Sequence, residues 1–436
     1  MSPLHPAIVL ALRQGLFLIP LAASLALLLR RHHEHRALVG ACFAFLYQFG
    51  VMFTLHVIAI SLGWWHYGGA SLKLLGFPAD IWLGGALLWG PVLFLAFPRA
   101  NPLALLIPSI VLNAAAMPLM SPVIAIGPGW LPGQAVVVLL ALVPGQALAR
   151  WTAQDRHLPL RAALLAIAYA ATAFFVVPSL IMEAMGGRWP ASLSEWMTGP
   201  VAAAIVPMSA CMIVGLAAVQ AFVLHGDGTP IPLDSTKRLV RTGLYSYFAN
   251  PMQTSTAVAW LVMGAALGNV WIAAAAGMAV LFVLGMVRWH QRNDLAVRFP
   301  VGWPTYRAAV PDWIPLWRPW RPAPSNLILD PTNPIHARFG MWIEARCPVG
   351  LSVKRVARAR IAYREPGETR SFEGAAAVAK ALNHLNFAYA LLSAGLLLVV
   401  LAAAAPTELL RRTAFLRCRP EKAGPGPCPE TLRAGE

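Results

Sequence analysis

Long apolar segments separated by short polar loops dominate the first two thirds of the chain. A hydrocarbon core about 30 Å thick requires about 20 apolar residues in helical conformation. Nine segments approach that length, covering residues 7–29, 38–62, 78–97, 102–123, 133–149, 161–183, 200–224, 252–268 and 270–288. A very short link around Gly268 and Asn269 joins the last two segments, which predicts a tight helical hairpin. The pattern predicts an all-α polytopic membrane bundle of about nine transmembrane helices, followed by a small C-terminal α+β domain.

The composition agrees with a membrane location. Hydrophobic residues make up 58% of the chain and charged residues only 12%, with a mean hydropathy of +0.62. Soluble domains usually contain about 25% charged residues, so most of this chain is expected to lie in lipid. The net charge of +16 does not indicate a nucleic-acid partner, because membrane proteins concentrate Lys and Arg in their cytoplasmic loops. We expect no nucleic acid to bind.

Basic residues occur mainly in alternate loops. One set of loops contains Arg30, Arg31, Arg36, Arg99, Arg150, Arg156, Arg161, Lys237, Arg238 and Arg241. The opposite set contains only Lys73 and Arg188. The positive-inside rule places the first set in the cytoplasm. We therefore expect an integral protein of the bacterial inner membrane, with its N-terminus outside and all residues after 289 inside.

The character of the sequence changes after residue 289, first to a segment rich in Trp, Arg and Pro and then to a more polar region. The predicted domains are an N-terminal bundle of seven helices (1–225), a core containing the hairpin (226–320), a linker (321–326) and a mixed domain with its tail (327–436). The mixed domain is expected to be cytoplasmic. Residues 387–405 are apolar enough to span a membrane. A span would carry Arg411 and Arg412 outside, so a non-spanning helix is favoured.

Polar residues at both ends of the hairpin predict a site. The loop before the hairpin and the segment after it must be neighbours, so Asn250, Gln253, His290, Gln291 and Asp294 are expected to converge. Pro251 suits the first turn of a helix, whose free backbone N–H groups bind carboxylates.

The same segments offer further contacts to a ligand. Asp294 could bind an ammonium group or ribose hydroxyls. The aromatic walls for a cationic ligand could be Tyr245, Trp289, Trp303 and Tyr306. The alternative interpretation is that the aromatic residues are interfacial anchors and that Asn250 only caps a helix.

The order and spacing of residues 226–320 resemble the C-terminal core of the isoprenylcysteine carboxyl methyltransferase and phospholipid methyltransferase superfamily. The residues that match its pattern are Gly243, Tyr245, Pro251, Leu295, Phe299, Trp303, Tyr306, Val310 and Pro311. The resemblance implies S-adenosylmethionine as cofactor, held by Tyr245, Asn250, Pro251, Gln253, His290, Gln291, Asp294 and Tyr306. It also implies methyl transfer to a lipophilic acceptor, with membrane lipid or a lipophilic small molecule as the substrate.

The chain departs from that family at the cofactor positions. The family's Arg-His pair is Ala249-Asn250 here, and its paired Glu residues are Gln291 and Arg292. Gln291 keeps the shape of Glu but loses its charge, and His290 and Asp294 could compensate. If Arg292 filled the site and paired with Asp294, no room for the cofactor would remain.

Residues 327–436 resemble the thiol-disulfide oxidoreductases named for their Asp-Cys-Cys signature, which implies a thioredoxin-like fold. The matching segment is 329–336, in which Asn333 and His336 occupy the positions of the two cysteines. Disulfide exchange requires a thiolate, so the domain is expected to be redox-inactive and to serve a structural or partner-binding role. Asn333 and His336 are more typical of turn and cap residues than of a metal site.

Two functions remain open on the sequence. The first is an S-adenosylmethionine-dependent membrane methyltransferase, and the second is a catalytically inactive scaffold or lipid-binding module. A transporter is a more distant third, because few ionisable residues lie in mid-helix. We expect no metal site. The cluster of His32, His33, Glu34 and His35 is flanked by arginines and is interpreted as a solvated loop.

Overall fold

The computed structural model describes residues 6–30, 33–68, 72–121, 123–367 and 371–417. The chain forms two compact units, Met1–Arg321 and Pro322–Glu436. The division falls at the start of the predicted 321–326 linker, whose last two residues already belong to a strand. Residues 1–225 and 226–320 lie in the same unit, so the predicted boundary at residue 225 does not separate compact bodies.

The first unit is almost entirely helical. Its helices are α1 (Pro6–Arg30), α2 (His35–Ser61), α3 (Ala79–Ala96), α4 (Leu103–Leu119), α5 (Trp130–Ala153), α6 (Leu158–Met185), α7 (Leu193–Trp196), α8 (Gly199–Gly226), α9 (Pro251–Ala266), α10 (Val270–Arg298) and α11 (Gly302–Ala309). Its strands form two short antiparallel pairs, β1 (Trp65–Tyr67) with β4 (Ile124–Ile126) and β2 (Lys73–Leu74) with β3 (Phe77–Pro78).

Each of the predicted apolar segments coincides with a helix, but the helices differ in length. Among the described residues, 7 helices are long and apolar enough to cross a membrane: α1, α2, α3, α5, α6, α8 and α10. Helix α4 is shorter, and α9 has only 16 residues. The apolar helices indicate a membrane protein, whereas the predicted count of nine spans is not confirmed.

Several long helices contain a π-helical turn, and other helices bind the carbonyl groups beside it. Pro91 and Pro144 lie in or just after the turns Leu88–Val92 and Val138–Leu142. Gln146 Nε2 donates to Trp89 O at 2.5 Å, and Gln48 Nε2 donates to Ala141 O at 2.9 Å. A backbone carbonyl without a partner is costly in lipid. These side chains therefore join helices while satisfying the disturbed backbone.

Loop contacts fall into two sets at opposite ends of α2. At one end, β1 pairs with β4, Arg13 Nη2 lies 2.6 Å from Asp80 Oδ2, and Asn269 Nδ2 donates to Gly186 O at 2.8 Å. At the other end, Arg36 and Lys237 both form ion pairs with Asp155, and Arg150 Nη2 donates to Phe97 O at 2.8 Å. Each of these contacts joins segments that the charge pattern assigns to the same side.

The second unit contains a four-stranded sheet and three helices. Its strands are β5 (Ser325–Leu329), β6 (Leu351–Arg355), β7 (Ala362–Arg364) and β8 (Ser371–Glu373). Its helices are α12 (Pro334–Glu344), α13 (Ala375–Leu382) and α14 (Phe387–Arg417). The strand order is β6-β5-β7-β8, in which β5 and β6 are parallel and the other pairs antiparallel.

The core of this unit lies on alternate positions of the central strand. Leu327 and Leu329 of β5 are buried and pack with Ile343 and Leu382 from two helices. The predicted hairpin is confirmed, because β7 and β8 are antiparallel neighbours on either side of the Pro366-Gly367 turn. Within the part of α14 whose side chains the structure describes, the apolar stretch is Phe387–Val400, so the expectation for residues 387–405 stays a prediction.

Candidate functional site

Two segments that flank the α9–α10 hairpin are joined by backbone hydrogen bonds. Gly243, with φ of +64°, opens the 3-10 turn Gly243–Ser246, and the chain then leads to α9. The segment after α11, residues 311–320, runs along this loop and is called the strap. The bonds are Ala249 N to Pro311 O at 2.8 Å, Asn250 N to Asp312 O at 3.2 Å, Leu316 N to Tyr247 O at 3.0 Å and Trp320 N to Ser246 O at 2.8 Å. The expectation that these segments are neighbours is confirmed.

Asn250 uses its side chain to hold the strap. The residue is 3% exposed and precedes α9, in which Pro251 occupies the first position. Its Nδ2 donates to Asp312 Oδ1 at 3.0 Å, and Arg307 Nη2 forms an ion pair with the same oxygen at 2.9 Å. The side chain makes no capping bond to α9. The N-terminus of that helix therefore keeps backbone donors that Asn250 does not satisfy.

Two buried tyrosines lie beside this junction. Tyr306 Oη donates to Tyr245 O at 2.9 Å. The hydroxyl of Tyr245 is itself buried and has no hydrogen-bond partner within the described structure. Burial raises the pKa of Tyr245 well above its ordinary value, and the nearby Tyr306 raises it further. A buried hydroxyl without a partner costs about 1–3 kcal/mol, so this group is a donor that a ligand could satisfy.

His290, Gln291 and Asp294 lie at the end of α10, where a π-helical turn covers Gln291–Leu295. Asp294 Oδ1 accepts a hydrogen bond from Arg298 Nε at 2.6 Å, and Asp294 Oδ2 lies 3.4 Å from His290 Nε2. Arg298 Nη1 also donates to Thr236 O at 2.5 Å. Arg292 is exposed and is not the partner of Asp294. In the described structure Arg292 therefore does not pair with Asp294. Arg298 does, and it neutralises the Asp294 carboxylate.

The predicted residues belong to two sets of polar contacts. Tyr245, Asn250, Pro251 and Tyr306 surround the junction of loop and strap, and Gln253 lies half-buried in the first turn of α9. His290, Gln291 and Asp294 form the second group, on α10. In the described part of the chain, no hydrogen bond joins Asn250 or Tyr306 to His290 or Asp294. The convergence of all eight residues on one pocket stays a prediction.

The sequence reasoning missed the residues that hold these groups in place: Thr236, Arg298, Arg307 and Asp312. A signal was available for one of them. Arg298 follows Asp294 by four residues, a spacing at which side chains of opposite charge meet on a helix. Asp312 gave no local signal, because its partner Asn250 is 62 residues away.

The signature positions of the second unit are occupied by a turn and a cap. Asn333 Oδ1 accepts hydrogen bonds from Ile335 N at 2.9 Å and His336 N at 3.3 Å, which caps α12. Asp330 Oδ1 accepts from the hydroxyl and the amide of Thr332, and these bonds lower the pKa of Asp330. The interpretation of Asn333 as a cap residue is confirmed.

Within the described residues, no group of three or more His, Cys, Asp and Glu side chains is placed to hold a metal ion. His33 Nε2 lies 2.9 Å from Leu27 O. The predicted histidine cluster is only partly covered by the structure, because His32 lies outside the described residues.

Comparison of the chain with known protein families, with curated proteins and with solved structures found no match. Its functional assignment therefore depends on the residues and geometry described above.

Proposed function

We propose that the first unit crosses the bacterial inner membrane nine times, with the N-terminus outside and the chain after α10 in the cytoplasm. Two observations support this arrangement. The loops carrying most of the arginines contact one another, as Arg36, Asp155 and Lys237 do, and the positive-inside rule assigns them to the cytoplasm. If α4 or α9 failed to cross, the alternation of loops between the two ends of the bundle would be lost.

Cysteine labelling tests the topology in intact cells. A cysteine introduced at Ser71 or at Glu195 should react with a membrane-impermeant maleimide, whereas one at Ala100 or Lys237 should react only after lysis. Labelling of all four positions in intact cells would contradict the proposed orientation. The native cysteines must first be replaced by serine.

For the core between residues 226 and 320 we propose a membrane methyltransferase that uses S-adenosylmethionine and acts on a lipophilic acceptor. One observation carries this proposal: the strap closes on the loop before α9 and gathers Tyr245, Asn250 and Tyr306 at the start of that helix. The buried hydroxyl of Tyr245 lacks a partner, and the amides at the start of α9 donate no hydrogen bond to the Asn250 side chain. Both are donors for an anionic or carbonyl oxygen.

These residues fit part of the cofactor. The start of α9 would bind its carboxylate, and Tyr245 would donate a hydrogen bond. The cofactor, when bound, supplies an electrophilic methyl group. Transfer of that group requires mainly that donor and acceptor be aligned, and the buried Tyr245 and Tyr306 would exclude water there. Asp294 could bind an ammonium or ribose hydroxyl only after exchanging its partner Arg298.

Titration calorimetry of the purified full-length protein with S-adenosylmethionine tests the proposal. We expect saturable binding in the micromolar range. Tyr245→Phe should weaken binding about ten-fold, because it removes one neutral hydrogen bond, and Asp294→Ala should weaken it about 100-fold. Tyr389→Phe, in the second unit, is the matched control and should bind like the wild type. Absence of heat and of thermal stabilisation at millimolar cofactor would exclude the methyltransferase.

One observation favours a second candidate, a non-catalytic membrane scaffold or lipid-binding module. Asp294 and Asp312, the two carboxylates beside the candidate residues, are already paired with Arg298 and Arg307. Such internal satisfaction is typical of a structural role. The scaffold predicts no cofactor binding in the wild type, and it predicts that Asp294→Ala changes only thermal stability.

For the second unit we propose a thioredoxin-like, redox-inactive domain that can bind a protein partner. The fold proposal is supported by the order of elements, β5-α12-β6-β7-β8-α13, and by the parallel pairing of β5 with the edge strand β6. Asn333 and His336 provide no thiolate at the signature positions. We expect the full-length protein to leave insulin disulfides intact. Catalytic reduction of insulin by the wild type would contradict redox inactivity.

A further inference from the structure

A buried arginine of the N-terminal bundle binds two aspartates from different loops. Arg161, near the start of α6, is 0% exposed. Its Nη1 donates to Asp155 Oδ1 at 3.0 Å, and its Nη2 donates to Asp234 Oδ2. Arg36 and Lys237 form ion pairs with Asp155 at 3.1 and 3.0 Å. A guanidinium buried without its carboxylates would be strongly unfavourable, so the folded chain must keep these contacts together.

Asp234 belongs to a compact loop, residues 226–241, that follows α8. Asp234 O accepts from the amide and the hydroxyl of Thr229, both at 3.1 Å. Gly226 O accepts from Lys237 N at 2.7 Å. A Cβ atom on Gly228 would lie 2.6 Å from the Cα of Thr236, so only glycine permits this close approach. These contacts hold residues 226–241 together, so a displacement of Asp234 would displace the whole loop.

The same loop also binds Arg298, the partner of Asp294. Thr236 O accepts a hydrogen bond from Arg298 Nη1 at 2.5 Å, and Arg298 Nε donates to Asp294 Oδ1 at 2.6 Å. A continuous series of polar contacts therefore runs from Arg161 through the 226–241 loop to Arg298 and Asp294. It connects helices α2 and α6 with the end of α10.

We propose that Arg161 is a positioning residue: by fixing the 226–241 loop from the N-terminal bundle, it sets the position of Arg298 and thereby the availability of Asp294. This gives the first six helices a role, which is to anchor the loop that carries one half of the candidate site. The effect on the loop is independent of the cofactor, whereas the effect on cofactor binding rests on the proposed function.

The geometry requires arginine rather than a generic cation. The two carboxylates come from loops on either side of Arg161 in the sequence, and each accepts a different terminal nitrogen of one planar guanidinium. Lysine presents a single ammonium and cannot reproduce this fork. Arg161→Lys should therefore retain the positive charge but hold the loop less firmly. Arg161→Gln should lose both the charge and the contact with the two carboxylates.

Hydrogen–deuterium exchange of the full-length protein in nanodiscs tests the positioning role. In Arg161→Gln we expect amides of residues 229–241 to exchange about ten-fold faster or more, with Arg161→Lys between this variant and the wild type. Asp234→Asn should produce a similar effect and serves if Arg161→Gln does not fold. Arg13→Gln is the matched control, because it removes another buried Arg–Asp pair, Arg13–Asp80. It should lower the melting temperature and leave exchange of the 229–241 loop unchanged.

Unchanged loop exchange in both Arg161→Gln and Asp234→Asn would overturn the proposal, as would equal acceleration by Arg13→Gln. Coupling to the site is measured with Arg298→Gln, which should accelerate loop exchange less in the Arg161→Gln background than in the wild type. Strictly additive effects of the two substitutions on loop exchange would contradict a coupling between Arg161 and Arg298.

A cofactor titration separates this proposal from the proposed function. If the wild type binds S-adenosylmethionine, Arg161→Lys should raise its dissociation constant several-fold, and an unchanged constant would overturn the link to the site. If the wild type binds none, the methyltransferase is excluded, and the exchange data alone decide whether Arg161 positions the loop.

Discussion

Different interactions stabilise the two ends of the membrane unit. One end, here called the aromatic end, is built around Trp65, Tyr67, Phe77 and Trp82, which pack in one buried cluster. The ring of His56 stacks on Phe77 with centroids 4.5 Å apart. The opposite end, the ionic end, consists of Arg36, Asp155, Arg161, Asp234 and Lys237. Helix α2 connects them, with Arg36 in its first turn and His56 near its last.

The difference indicates where the protein can change its structure. Packed aromatic rings lose contact energy on any displacement and tolerate little movement. Ion pairs at a water-exposed edge exchange partners more easily and respond to salt and pH. The candidate site lies on the ionic side, next to the 226–241 loop, and Asp294 must exchange its partner before it can bind a ligand. The aromatic end therefore serves as the rigid support.

The largest effect is expected at the aromatic end. Trp65 is 0% exposed, so Trp65→Ala should lower the free energy of unfolding by about 3–5 kcal/mol, through lost contacts and the cavity that remains. Equilibrium unfolding of the detergent-solubilised protein measures this change. Trp271→Ala, at a position 52% exposed, is the control and should change stability by less than about 0.5 kcal/mol. Similar losses in both variants would contradict the rigid-support interpretation.

Removal of Arg161, the central cation of the ionic end, should lower the free energy of unfolding slightly less than Trp65→Ala does. We expect Arg161→Gln to lower the free energy of unfolding by about 3 kcal/mol, because two carboxylates lose their buried partner. Raising the salt concentration should hardly change this loss, since the pair is shielded from ions in solution. A loss that disappears at high salt would show that the network behaves as a surface pair.

The pH dependence distinguishes the two ends. Burial by itself would raise the pKa of Asp155, but hydrogen bonds from Lys237 and Arg161 and the charge of Arg36 outweigh it and lower the pKa from 3.8 to about 2. A lowered carboxylate pKa contributes stability above the unfolded value, and this contribution is lost as pH falls through the folded value.

The stability difference between wild type and Asp155→Asn should therefore be constant from about pH 5 to pH 8 and shrink below about pH 4. Thermal unfolding across this range measures it. The difference between wild type and Trp65→Ala, which removes no charge, should not follow the same curve. If the stability difference between wild type and Asp155→Asn changed between pH 6 and pH 8, a group other than Asp155 would be responsible for the titration.

The smallest effect is expected at the exposed edge of the ionic end. The side chain of Lys237 is 61% exposed, so Lys237→Gln should lower the free energy of unfolding by less than about 1 kcal/mol, and high salt should abolish the difference. Chemical unfolding at low and high salt measures both values. A larger, salt-independent loss would place Lys237 among the buried members of the network.

Local patterns predicted the helices well and their exact extents less well. Each apolar segment coincides with a helix, because hydrophobicity over about 20 residues is a strong signal. The end of the last one was wrong: the prediction stopped at residue 288, whereas α10 continues to Arg298. The extension is polar and contains the π-helical turn Gln291–Leu295, which has no hydropathy signal. In the second unit, the Pro366-Gly367 turn correctly predicted a hairpin.

The candidate site was only half predictable. The two ends of a short hairpin must be close, so the meeting of Asn250 with the strap followed from connectivity alone. Connectivity did not determine which polar groups would form hydrogen bonds with one another. Asn250 binds Asp312 instead of capping α9, and Asp294 binds Arg298. Such choices depend on side-chain directions at the ends of helices, which vary with each local turn.

The sequence by itself determined that this chain is a membrane protein, where most of its helices lie and which loops share a side, because the cost of placing charges in lipid acts on every segment independently. Only the tertiary structure decided that Arg161 joins Asp155 to Asp234, 73 residues further along the chain than Arg161. It also decided that Asn250 binds Asp312 and that Asp294 binds Arg298. The physical reason is that a buried charge accepts any partner that packing brings within reach, and packing is a property of the whole fold.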